Sequence, residues 1–153
     1  MWLQLKPGSD AALALAWLNV IIRERLYDSD FVQRHTVGFA ELEERAREYP
    51  PERVAQLTWI PEQQIIESAR IYAATSPALM VAGNGLCQIG LDAVQGSRAL
   101  ACLVAITGNL NRKGGNTLFG PPRGIVANGD MISRTDCRLN NAASALAPMI
   151  SGF

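Results

Sequence analysis

The sequence predicts an α/β fold, a partial dinucleotide-binding-like domain with parallel strands flanked by helices. Three observations carry that expectation. First, the short run Leu3-Gln4-Leu5-Lys6 stops at Pro7-Gly8, and Ser9-Asp10 opens a long apolar helix. A strand, tight turn and helix N-terminus in one segment is how α/β proteins hold nucleotides. Second, Ala78-Leu79-Met80-Val81-Ala82 is a continuous apolar run between Pro77 and Gly83, which reads as a buried parallel strand. Third, the helical patterns between these runs are long enough to cross over and pair the strands in parallel. Two buried strands do not make a stable sheet alone, so the chain is expected to form part of a larger α/β domain.

Each element has its own justification. Residues 2–6 read as the first strand and residues 10–26 as a helix, apolar on nearly all sides until Arg23. Ser29 or Asp30 is suited to cap a short helix through Val32-Gln33-Arg34 that ends near Gly38. Residues 41–48 are charge-rich and helical, Pro50-Pro51 breaks them, and residues 52–57 suit another short helix. Pro61 fits a first helical position, and Ile65, Ile66, Ala69 and Tyr72 then recur at helical spacing. Pro77 ends that element, and residues 91–107 form a second very apolar helix stopped by Gly108-Asn109. Residues 1–120 are read as the partial domain and residues 121–153, rich in Gly, Pro, Asn and Asp early on, as its irregular continuation.

Composition narrows the function. The chain has 153 residues, 48% hydrophobic, with 14 basic and 14 acidic side chains, which supports a real core and argues against disorder. A nucleic-acid binder concentrates Lys and Arg on one face, whereas Arg23, Arg25, Arg45, Arg47 and Arg53 are interleaved with glutamates. Residues 11–22 are too short to span a bilayer and lack a cleavage pattern, so neither membrane insertion nor a signal peptide is expected. Cys87, Cys102 and Cys137 are dispersed, so no zinc or iron–sulfur site is expected, and Cys102 reads as core. The odd thiol count favours a reducing compartment. The expectation is a soluble protein, cytoplasmic or periplasmic, with the cytoplasm favoured.

Three segments offer chemistry. Gly8 suits φ > 0 and close approach of a ligand to backbone, Ser9 or Asp10 suits a helix cap, and a free Asp10 carboxylate can accept from purine N–H groups. Gly83-Asn84-Gly85-Leu86-Cys87-Gln88-Ile89-Gly90 follows the second strand, where open α/β sheets bind ligands, but its spacing fails the nicotinamide dinucleotide fingerprint. In Asn109-Leu110-Asn111-Arg112-Lys113-Gly114-Gly115-Asn116, backbone amides of the Gly-Gly turn and two cations suit an anion such as pyrophosphate. Each segment also has a plain structural reading: a capped turn, a Gly-rich turn and a basic helix stop. His35, the only histidine, has no catalytic partner in recognisable spacing, and Trp2, Trp17 and Trp59 are expected as core anchors.

These segments together carry a resemblance. Pro7-Gly8-Ser9-Asp10-Ala11-Ala12-Leu13 resembles the Pro-Gly-Thr/Ser-Asp-x-Ala-Leu signature of the molybdopterin oxidoreductases, the dimethyl sulfoxide reductase family. In the family's order follow residues 19–31 (a helix then Tyr27-Asp28-Ser29-Asp30-Phe31), Thr36-Val37-Gly38-Phe39, residues 61–73, and Thr107-Gly108-Asn109 through Gly114-Gly115. The loop at Gly83, Gly85 and Gln88 is similar to the family's Gly-x-Gly-x-x-Gln-x-x-Gly loop, with Gly90 one residue early. The likeness covers roughly residues 1–120.

The resemblance implies a cofactor-binding segment of a molybdenum oxidoreductase that contributes surface to a bis-molybdopterin guanine dinucleotide. It implies that Asp10 pairs with guanine, and that Gly8, Ser9, Gly83, Gly85, Gln88, Asn109, Gly114, Gly115 and Asn116 line the rest of the cofactor. It also implies a chain inactive alone, because no residue matches the family's iron–sulfur cysteines or molybdenum ligand. The implied partner is the remainder of a parent oxidoreductase, and self-association is expected if the apolar helices lie bare. Two other readings stay open. One is a standalone nucleotide-binding or regulatory module. The other is the central domain of a thiamine-diphosphate-type enzyme, which shares the pattern from Pro77-Ala78 to Gly83.

Overall fold

The computed structural model describes residues 1–88 and 93–117, all within one compact unit, Met1–Thr117. Among the described residues the chain forms α1 (Asp10–Arg23), α2 (Ser29–His35), α3 (Phe39–Arg47), α4 (Pro51–Thr58), α5 (Glu62–Ala74), α6 (Asn84–Gln88) and α7 (Ala93–Ile106). The reading of residues 121–153 lies outside the described residues.

The expected α/β class is overturned. Among the described residues there is no strand, and the one β-type contact is an isolated bridge between Leu110 and Asn116. Residues 2–6 do alternate as a strand would, with Leu3 and Leu5 half-buried and Trp2, Gln4 and Lys6 exposed. Yet they lie against helices: Lys6 N–H donates to Thr58 C=O (3.0 Å), and Leu3 and Leu5 pack with Val54, Ile60 and Ile65. Residues 78–82 are not the buried run expected: Ala78 is buried and Met80 half-buried, but Leu79, Val81 and Ala82 are exposed, and the backbone is met by side chains. Ala78 N–H donates to Asn109 Oδ1 (2.9 Å), Met80 N–H donates to Asn116 Oδ1 (2.8 Å), and Asn116 Nδ2 donates back to Met80 C=O (2.7 Å). An apolar run predicts an extended buried segment, whereas a sheet needs a second backbone, and two asparagine amides take that place here.

The core is built around α1. This helix is contacted by α3, α4, α5 and α7, so its all-round apolar character is covered by helices where strands had been expected. Leu18, Val20 and Ile21 have no exposed surface, and each such side chain contributes about 1.5–3 kcal/mol of burial. α7 brings Ala99, Leu103 and Ile106 to the same cluster. The helix ends follow local chemistry. Asp28, not Ser29 or Asp30, caps α2 by accepting from Phe31 N–H (2.9 Å), while Asp28 N–H donates to Ile106 C=O (2.7 Å). Pro51 opens α4 at a position where its missing N–H leaves no bond unmade, and Pro61 stands just outside α5. Trp17 stacks on Tyr72 at 5.6 Å, but Trp2 and Trp59 are largely exposed and are not core anchors. Cys102 is half-buried.

An ion pair ties α1 to α5. Arg70 Nε and Nη2 donate to the two Glu24 carboxylate oxygens at 2.8 Å each. The Arg70 hydrogen bond holds the Glu24 carboxyl below its ordinary value, against a smaller upward push from burial. A lowered folded pKa stabilises above the unfolded value and is lost as pH falls through the folded one. Glu24→Gln should therefore destabilise by under about 1 kcal/mol near neutrality, because the pair is solvent-screened. The gap between variant and parent should close below the unfolded glutamate pKa of about 4.3, as thermal melts across that range would read.

Candidate functional site

A cavity of about 530 Å³ opens beside the N-terminus of α1. One wall is the turn at Leu5, Pro7 and Gly8, continued by Asp10, Leu13, Ala14 and Trp17. These α1 positions stand at i, i+3, i+4 and i+7 and so share one helix face. The facing wall is Met80, Val81, Ala82, Gly83, Gly85 and Leu86, and Leu100 of α7 closes the lining. The surface is mainly apolar, with Asp10 its one formally charged side chain. Volumes of a few hundred Å³ lined this way are typical of small-molecule sites.

The turn is shaped for backbone exposure. Ser9 N–H and Ser9 Oγ both donate to Lys6 C=O (3.1 and 2.7 Å), which closes the turn and leaves the helix without a side-chain cap from Ser9. Gly8 has φ +82°, and a Cβ built there meets no heavy atom within 4 Å. Gly83 is equally open. Asp10 sits in the first turn of α1, where the helix dipole favours a carboxylate.

The structure thus brings Gly8, Asp10, Gly83 and Gly85 around one cavity. Ser9 faces a neighbouring cavity of about 350 Å³ shared with Lys6, Arg45 and Tyr49. Gln88 is exposed and lies off the lining. Gly90 and the start of the helix predicted from residue 91 lie outside the described residues. Asn109, Gly114, Gly115 and Asn116 lie off the lining as well, and they buttress its wall. The Asn109 and Asn116 amides are spent on residues 78–80, whose Met80 lines the cavity. A Cβ on Gly114 would meet Pro77 Cγ at 2.7 Å, and one on Gly115 would overlap the Asn109 carbonyl. Arg112 Nη1 donates to Ser76 Oγ (2.7 Å), tying the same loop to the same segment.

Sequence reasoning missed Trp17, Met80 and Leu100 as lining residues. The heptad step from Asp10 to Trp17 was the available signal for the first. Among the described residues, no group of three or more His, Cys, Asp or Glu is placed to hold a metal ion. No helix among them is long and apolar enough to cross a membrane.

Comparison with known proteins places the chain in a family. No family model matches the chain. The probable oxidoreductase YoaE of Bacillus subtilis is 37% identical over 135 residues, which are 88% of this chain and 20% of that protein. The thiosulfate reductase molybdopterin-containing subunit PhsA of Salmonella typhimurium is 32% identical over 142 residues, 91% of this chain and 18% of that protein. Among solved structures, acetylene hydratase from Pelobacter acetylenicus superposes with a TM-score of 0.68 at 41% identity, covering 71% of this chain and 15% of that one. The chain is homologous to one segment of the molybdopterin oxidoreductases. It spans about a fifth of the length of the curated relatives it matches.

Proposed function

We propose that this chain contributes binding surface for a molybdopterin guanine dinucleotide within a larger molybdenum oxidoreductase. The observation that carries the reading is the cavity where Gly8, Asp10, Gly83 and Gly85 converge. Its residues fit the group. Apolar walls from Leu13, Trp17 and Leu100 suit a flat heterocycle, and the two open glycines admit a ligand against the backbone. Asp10 would accept from guanine N–H donors, and its place in the first turn of α1 sets it at the mouth of the cavity. The cavity suits part of the dinucleotide, with the remainder of a parent enzyme holding the rest. When bound, the pterin supplies the metal-centred redox chemistry; this chain's own residues bind and orient it. Asn109, Gly114, Gly115 and Asn116 serve by fixing the wall that carries Met80 and Val81. Ser9 and Gln88 stand next to that surface, off the cavity lining.

The test is cofactor retention. In the protein carrying its cofactor, Asp10→Ala should weaken retention by about 1.5–3 kcal/mol, the typical worth of a hydrogen bond to a charged acceptor. Asp10→Asn should lose nearly as much, because an amide offers one acceptor oxygen where the carboxylate offers two. Pterin and molybdenum content of the purified variants reads both. Full content in both would reduce Asp10 to a helix-terminus residue and remove the reading's main support.

A further inference from the structure

Gly96 lies inside α7 and is buried. Neither its backbone nor its helix asks for glycine. Its φ is not among the positive ones, so an L side chain could adopt it. Glycine is also the poorest helix former after proline. Close packing is the remaining reason for glycine at such a position. A Cβ built on Gly96 would stand 3.6 Å from Ala11 Cβ and 3.8 Å from Ala11 Cα, ordinary contacts that a methyl group tolerates. It would stand only 3.1 Å from Leu86 Cδ1. The neighbour that a side chain here would displace is therefore the end of Leu86.

Leu86 belongs to α6, which packs on α7, and its side chain occupies the notch that Gly96 leaves. The same side chain lines the 530 Å³ cavity, whereas Gly96 does not. A methyl group at Gly96 would move Leu86 Cδ1 by a few tenths of an ångström. Packed interiors offer little room for such a shift, so the side chain goes where space is free. For Leu86 that space is the cavity. Glycine at this position gives up helix propensity and gains width in a site that it does not touch.

We propose that Gly96 is a positioning residue for the cavity: by leaving the notch empty it lets Leu86 lie back against α7 and keeps the cavity open to a flat heterocycle. The inference rests on the cofactor reading for the ligand, but not for the geometry.

The test is Gly96→Ala, alone and in a Leu86→Ala background where no long side chain is left to push. The thermal midpoint of Gly96→Ala should equal or exceed that of the parent, because alanine favours the helix. In a Trp2→Phe, Trp59→Phe background the remaining Trp17 lines the cavity, and acrylamide quenching reads its width without any cofactor. Gly96→Ala should lower that quenching by about a third, the effect of a wall moved inward in a close-packed molecule. In the protein carrying its cofactor, pterin should be lost on gel filtration about fivefold faster in Gly96→Ala, with no further effect of the substitution once Leu86 is alanine. A lower thermal midpoint overturns the proposal, since Gly96 would then be held by its packing on Ala11. So does unchanged quenching of Trp17, or an equal effect of Gly96→Ala with and without Leu86. Unchanged pterin loss in Gly96→Ala, where Asp10→Ala does lose it, overturns this inference and leaves the cofactor reading standing. Full pterin content in Asp10→Ala removes that reading instead, and the quenching still decides the role of Gly96.

Discussion

Truncating Leu18 to alanine should destabilise the Met1–Thr117 unit by about 2–5 kcal/mol, the range for a fully buried leucine losing its side chain. Leu18 has no exposed surface and sits in α1, the helix on which α3, α4, α5 and α7 all pack. Neighbours on several helices cannot all move into one void, so the upper half of the range is expected. Total stabilities of domains this size are only about 5–15 kcal/mol, so the variant should unfold at a markedly lower denaturant midpoint with an unchanged slope. A shift worth under about 1 kcal/mol would mean that α1 is not the centre of the core. Leu18→Met, which roughly conserves volume, should stay within about 1.5 kcal/mol of the parent.

Asn109→Ala should cost about 2–4 kcal/mol, and for a polar reason. Asn109 is 1% exposed, accepts from Ala78 N–H and donates through Nδ2 to Thr107 Oγ1 (3.0 Å). Removing it deletes two bonds and leaves the buried Ala78 N–H without its acceptor, a penalty of about 1–3 kcal/mol on its own. Asn116→Ala should cost less, since that residue is only half-buried and water can replace it beside Met80. Urea melts of the two single variants and the double variant measure this. The pair should be non-additive, because both amides fix the same three residues. Independent, additive losses would mean that the segment at residues 78–80 is held by something else.

Much of the helical layout was legible because it rests on local chemistry. Pro50-Pro51, Pro61 and Pro77 punctuate the chain, and apolar spacing marks α5 and α7. The strands were misjudged because an apolar run of five residues fixes neither its hydrogen-bond partners nor its burial, and Leu79, Val81 and Ala82 are exposed. For residues 78–82 those partners stand about 30 positions away, as two asparagine side chains that read as ligand-binding loop residues. Around the site, the glycines and Asp10 stood out by type. Trp17, Met80 and Leu100 did not, since an apolar side chain lining a cavity looks in sequence like one filling a core. Trp2 and Trp59 mislead in the other direction, as large apolar residues that face solvent.

Pairing a main chain through asparagine side chains also sets how the molecule ages. A ladder between two backbones is indifferent to side-chain chemistry, but an amide side chain can hydrolyse. Deamidation of Asn116 would replace the Nδ2 donor with a carboxylate oxygen directly facing the Met80 carbonyl, turning an attraction at 2.7 Å into a repulsion. The segment that walls the cavity would then loosen with storage time, faster at alkaline pH and on warming, a clock written into one residue.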